Sequence, residues 1–173
     1  MPPRLKTPVR RQERGAAALE FGLLFLLFFS VMYAIVGYSL MFMVKHGLTQ
    51  GASEAARAAV RLDPMKFNSA FNYEQAVSAL AKDAATQAIA WLPEKAKTAV
   101  GRDNVTTSWV DGQRVVQTGG TPLTIKTRTL TVTVKYPNYA TNPLIKSLNI
   151  PPFGPVPSMP TDLVGTSSIQ LQY

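Results

Sequence analysis

Between Gly15 and Lys45 the chain carries one charge, the carboxylate of Glu20, about one turn into an otherwise apolar run. As a helix, Ala16–Val44 extends about 43 Å at 1.5 Å per residue, well beyond the roughly 30 Å of bilayer hydrocarbon. The run therefore predicts a transmembrane helix over 16–44 that tilts, protrudes or is held by neighbours. An acid at the bilayer centre costs about 2.5–3.5 kcal/mol, and less near the interface. Glu20 must be compensated, either by a partner or by reaching back to the interface. A plain anchor gains nothing from it.

The residues before the run set its orientation. Arg4, Lys6, Arg10, Arg11 and Arg14 stand against one acid, Glu13, in a leader spanning 1–15. The positive-inside rule places this end in the cytoplasm and everything after Val44 outside. A basic tail abutting a membrane span is read as an orientation signal, so no nucleic-acid partner is expected. A cleaved secretory signal has an apolar centre of only about 7–15 residues, roughly half of what stands here.

Helical periodicity outlasts the membrane run. Leu48, Ala52, Ala55, Ala59 and Leu62 recur at helical spacing, predicting an extension over 45–63 that ends at Asp63-Pro64. Gly47 and Gly51 form a small-xxx-small pair beside that stripe, and small residues let another backbone approach closely. Gly47, Gly51, Ala52, Ala55 and Ala59 are thus candidate helix-packing positions, against the chain's own domain or against another subunit.

Residues 64–173 read as one small α+β domain; with 173 residues in all, there is no room for a second core. A helix is expected from Asn72, capped with Gln75, burying Tyr73, Val77, Leu80, Ala84, Ala88 and Trp91, and ending at Pro93. Beyond Thr98 the period becomes that of strands. Val105–Val110 and Gln113–Thr118 flank Asp111-Gly112, a hairpin signal, and Gly119-Gly120-Thr121-Pro122 marks another turn. In Leu123–Tyr136 the apolar phase shifts from odd to even positions, predicting a bulge near Lys126–Thr129. Ile169, Leu171 and Tyr173 suggest a last strand, giving an antiparallel sheet of about 3–4 strands. Residues 137–160 hold seven of the 13 prolines and read as a long loop. Within it, Ile150-Pro151-Pro152-Phe153 carries apolar bulk that suits the membrane surface, a partner or the sheet itself.

Chemistry-bearing patterns are sparse. There are no cysteines, which excludes disulfides and thiolate sites. His46 is the single histidine, and the ten acids form no close pair in the soluble region. No phosphate loop or nucleophile elbow occurs. The expectation is a protein that is not an enzyme and takes no cofactor or metal.

The basic leader, Gly15, Glu20 and the apolar run together resemble a prepilin of the tight-adherence (Flp, type IVc) pilus system, whose processing site is similar to G-x-x-x-x-E-Y. Phe21 stands where that pattern has tyrosine. Gly15-Ala16-Ala17-Ala18-Leu19-Glu20-Phe21, followed by Leu48-Thr49-Gln50-Gly51-Ala52-Ser53-Glu54-Ala55-Ala56-Arg57-Ala58-Ala59, resembles the TadE-like pseudopilin family over roughly the first 62 residues. TadF-like siblings share the architecture; the Asp-x-Ser-x-Ser motif of larger TadG-type relatives is missing. The resemblance implies cutting by a membrane prepilin peptidase between Gly15 and Ala16. It implies subunit registration by Glu20 and Phe21. Its expected partners are that peptidase, other pilins and pseudopilins, the inner-membrane assembly platform and the lipid bilayer. The expected location is the bacterial inner membrane, single-pass, with the domain in the periplasm and possible entry into a pilus. Two rivals remain from the residues alone: an uncleaved bitopic scaffold, in which Glu20 pairs with a partner helix, and a secreted domain released by signal peptidase.

Overall fold

A computed structural model describes residues 13–118, 121–151 and 154–172 of the chain. The first element, α1 (Glu13–Val60), is 48 residues long, about 72 Å at helical rise. No proline interrupts it, and Ser30, its first hydroxyl, is satisfied internally by donating to the Leu26 carbonyl at 2.7 Å. Asp63 then caps a 3₁₀ turn, Pro64–Lys66, its carboxylate accepting from the Met65 amide at 3.0 Å.

The chain divides into two compact units. One holds Met1–Tyr38 with Ser147–Ser158; the other holds Ser39–Lys146 with Met159–Tyr173. In the larger unit, α2 (Ala70–Ala88) is followed by α3 (Glu94–Val100) and a three-stranded antiparallel sheet in the order β1-β2-β5. These strands are β1 (Val105–Thr118), β2 (Thr121–Tyr136) and β5 (Leu163–Gln172). The remaining strands, β3 (Leu148–Ile150) and β4 (Gly154–Val156), pair in a small antiparallel hairpin of the other unit. The architecture is the α+β one expected, with a long N-terminal helix, a second helix and an antiparallel sheet.

One core holds the larger unit together. Val44, Leu48, Ala52, Ala55 and Ala59 of α1 are completely buried with Val77, Ala81 and Ala85 of α2. The even positions of β2, Leu130, Val132, Val134 and Tyr136, close it from the sheet side. Alanines dominate the helix contacts because the backbones approach too closely for larger side chains. A Cβ at Gly51 would stand 2.9 Å from Ile89 Cγ2, and one at Gly47 3.0 Å from the Leu92 methyls. Gly165 of β5 is tighter still, since its missing Cβ would fall on the backbone of Leu48 and Thr49.

Several sequence expectations are corrected. Ser69, not Asn72, caps α2: its hydroxyl accepts from the Asn72 amide at 3.2 Å. The buried face of α2 is Tyr73, Val77, Ala81 and Ala85; Leu80, Ala84 and Ala88 are half-buried. Trp91 is 52 % exposed, because α2 stops at Ala88 and the following turn points Ile89 and Leu92 inward instead.

Asp111-Gly112 is not a turn. It lies inside β1, paired with Arg128 and Thr127 in a register unbroken from Val105↔Val134 to Thr118↔Thr121. That register leaves two residues, Gly119 and Gly120, between the strands; both lie outside the described residues. The expected bulge at Lys126–Thr129 is also missing. The phase shift needs none, because β5 covers β2 only from Thr127 to Tyr136. Beyond that point the hairpin runs clear of the core, with 111–115, Thr124 and Lys126 exposed, so neither face demands a fixed phase. The last strand is longer than expected, and Tyr173 lies outside the described residues. The proline-rich stretch is not all loop, since it contains β3 and β4.

Candidate functional site: the exposed half of α1

Most of α1 up to Phe42 is uncovered. Leu19, Phe21, Leu23, Leu24, Phe25, Leu26, Leu27 and Phe28 are all more than half exposed. An apolar surface this continuous is foreign to a water-facing helix. The helix is the one among the described residues long and apolar enough to cross a membrane. The helix makes this a membrane-anchored chain, with one such span among the described residues.

Gly15 and Ala16 lie in the first turns of α1, both exposed, and a Cβ added at Gly15 would meet nothing within 4 Å. Glycine is about 1 kcal/mol poorer than alanine inside a helix, so Gly15 weakens the turn where the leader joins it. Glu20 follows, exposed and with no ion-pair partner among the described residues.

Phe21 begins a row the sequence reading did not single out. Phe21, Phe25, Phe29 and Tyr33 recur every fourth residue, with successive ring centroids 6.3, 6.2 and 6.3 Å apart and planes within 28°. Side chains four apart stand one above the other on a helix. The rings make one aromatic ridge beside Glu20, and its signal was present as a plain four-residue spacing.

The second half of α1 is spent differently. Gly47, Gly51, Ala52, Ala55 and Ala59 all pack into the chain's own domain, against Leu92, Ile89 and the rest of that core. The solvent side of the same turns carries Arg57, which donates to Glu54 at 3.2 Å. His46, beside Lys45, is exposed.

In the larger unit, a cavity of about 540 Å³ is lined by Val60, Phe67, Tyr73, Trp109 and Arg128 among others. Its cation is already engaged. The Arg128 guanidinium donates to Glu74 at 2.6 Å, forms an ion pair with Asp111 at 2.8 Å, and stacks 4.8 Å from the Trp109 ring centre. Burial pushes the Tyr73 hydroxyl's pKa above its ordinary value, opposed in part by Arg128. A guanidinium held by two carboxylates and a ring is a brace between α2 and the hairpin. Among the described residues, no three histidine, aspartate or glutamate side chains gather as metal ligands.

Comparison with known proteins adds one finding. Residues 15–57 match the family model described as TadE-like protein. The match opens on Gly15 and takes in Glu20, the aromatic ridge and Gly47, Gly51, Ala52 and Ala55 of the packed half. Over that stretch, about a quarter of the chain, it is similar to TadE-like proteins. No curated protein and no solved structure matched the chain.

Proposed function

We propose that this chain, similar to TadE-like proteins over residues 15–57, is a minor pseudopilin of a type IVc (Flp, tight-adherence) pilus system. A prepilin peptidase cuts it between Gly15 and Ala16, and it then helps to initiate, cap or seat the pilus on its inner-membrane platform. The observation that carries this reading is the coincidence of the family match with the junction of leader and exposed helix. The basic leader supports an N-terminus in the cytoplasm and a domain in the periplasm.

The chemistry of the junction supports a role for Glu20. Cleavage would free an α-amine on Ala16, with an ordinary pKa of about 7.7–8.0 and so largely charged at neutral pH. A carboxylate about 4 Å from such an amine gains roughly 4 kcal/mol at an effective dielectric of 20. That exceeds the roughly 2.5–3.5 kcal/mol an acid costs at mid-bilayer, and an acid near the interface costs less. The amine of a neighbouring pilin therefore suffices to draw Glu20 into register, with Phe21 and the ring row behind it forming the contact ridge.

Mass spectrometry of the mature N-terminus, with and without the cognate prepilin peptidase, tests this directly. A peptidase-dependent start at Ala16 is expected. An intact leader under active-peptidase conditions overturns the pseudopilin reading and leaves the bitopic scaffold. Glu20→Gln is expected to insert normally, be cut normally and abolish or sharply reduce piliation. Unchanged piliation would remove Glu20 from assembly.

A further inference from the structure

The apolar run is longer than a bilayer needs, and the structure places something beside its surplus. If Glu20 marks the cytoplasmic interface, about 30 Å of hydrocarbon uses roughly 20 residues and ends near residue 40. Just inside that limit, Gly37 is buried, alone among its neighbours in the run. What covers it is Pro157: a Cβ on Gly37 would lie 2.7 Å from Pro157 Cγ, so only glycine admits the ring. One residue on, the Tyr38 hydroxyl accepts the Ser158 amide at 3.3 Å. These contacts lie within one compact unit, Met1–Tyr38 with Ser147–Ser158. They clamp the β3–β4 hairpin to the helix at the depth where hydrocarbon gives way to headgroups.

The hairpin's composition suits that depth. From Ser147 to Ser158 there is no charged residue, and the uncharged stretch runs from Lys146 to Asp162. Leu148 is 42 % exposed, and Ile150 and Val156 remain half-exposed. Leu148 pairs with Val156 across the two strands, which gathers apolar side chains in one place. Tyrosine beside them is the residue type that favours the interface, with an apolar ring and a polar tip. Prolines at 155 and 157 leave those backbone positions without an N–H to satisfy, which lowers the cost of leaving water.

We propose that the β3–β4 hairpin is a second membrane-contact element, lying in the outer-leaflet interface with Leu148, Ile150 and Val156 against lipid. It rests on the reading that α1 spans the bilayer. The occupant of this surface is the lipid itself, because the hairpin is continuous with the membrane-embedded helix and carries no charge to keep it in water. Interfacial elements of this kind sink about 5–10 Å into the headgroup boundary. The hairpin would thus fix the height and tilt of the span, and withdrawing the chain into a filament would strip lipid from it.

The absence of cysteine makes the test clean. The full chain is reconstituted in phosphatidylcholine vesicles with 20 % phosphatidylglycerol, carrying one fluorescent label at Leu148→Cys, Phe25→Cys or Gln113→Cys, with ~20 % taken as a typical anionic fraction. Phe25 reports the span and Gln113 reports water. The expected result is a Leu148 label at least about threefold less accessible to aqueous iodide than the Gln113 label, and quenched by shallow nitroxide lipids, as interfacial burial requires. A Leu148 label as accessible as Gln113, with Phe25 buried, overturns the proposal and leaves the span intact. A Phe25 label open to iodide overturns the span, and the hairpin's role with it. Shielding of Leu148 that vanishes on dilution into excess lipid, without nitroxide quenching, means a second protein copy covers the hairpin and also refutes the proposal.

Discussion

Gly165→Ala tests the packing on which the domain after the helix depends. Gly165 sits on β5 opposite Val134, and its missing side chain faces the backbone of α1 at Leu48 and Thr49. A methyl there meets peptide atoms of a helix that is itself buried on the same face, not the end of a flexible side chain. Overpacking a core costs about 1–3 kcal/mol when side chains can shift. Here one whole element must move off another, which places the cost at the upper end, about 3 kcal/mol. For a chain of 150–250 residues each kcal/mol moves Tm by about 2–4 °C, so a fall of roughly 6–12 °C is expected. The assay is thermal unfolding of the full chain in detergent, followed by tryptophan emission, since Trp109 lies near the core. Gly112→Ala is the control: its added methyl would stand 3.1 Å from the Thr127 hydroxyl, at the start of the hairpin's projecting arm. It should cost under about 1 kcal/mol. A Gly165→Ala chain that melts with wild type would mean that α1 and β5 do not meet backbone to backbone.

Two further expectations concern ion pairs. The Asp162 carboxyl is held below its ordinary range by Lys135 at 2.9 Å and by the Asn138 amide, which donates to it at 2.9 Å. A depressed carboxylate stabilises the fold above its unfolded pKa of about 3.9, and that contribution is lost as pH falls through the lower folded value. Asp162→Asn should therefore lower Tm at neutral pH and flatten its decline in acid; an unchanged acid limb would show that this pair adds nothing. Arg128→Met removes the brace under Trp109. Because Glu74 and Asp111 are 32 % and 75 % exposed they rehydrate, so the loss should be about 1–2 kcal/mol and not the larger figure for a fully buried pair. A red shift in Trp109 emission should accompany it, and unaltered emission would place the cation elsewhere.

Much of the site was legible because its signals are local. Gly15, Glu20 and the apolar run are read by counting along one helix, as are Leu48, Ala52, Ala55 and Ala59, whose spacing needs nothing but 3.6 residues per turn. The strand phases of Leu130, Val132, Val134 and Tyr136 were equally plain. Errors arose wherever a local signal competed with distant partners. Asp111-Gly112 looks like a turn in isolation, yet β2 offers a full-length partner, and pairing through the dipeptide saves the ladder that a turn would break. Trp91 lies on the helical stripe, but α2 ends three residues before it, since Ile89 and Leu92 must turn in to meet Gly51 and Gly47.

The sequence by itself determined that this chain has one membrane-length helix, a basic leader before it and a lone acid just inside, because hydropathy and charge act residue by residue. It also determined that the extension of that helix would carry small residues on one face. Only the tertiary structure decided how those features are used. Side chains packed on Gly47 and Gly51, and backbone packed on Gly165, commit the small residues to the chain's own core. Gly37 receives Pro157 because a three-residue strand pair, too short to show any period, brings it there. The contacts of Gly37 and Gly165 join residues more than a hundred positions apart and those of Gly47 and Gly51 about 40, and whether a given glycine is spare or indispensable depends on what is folded against it.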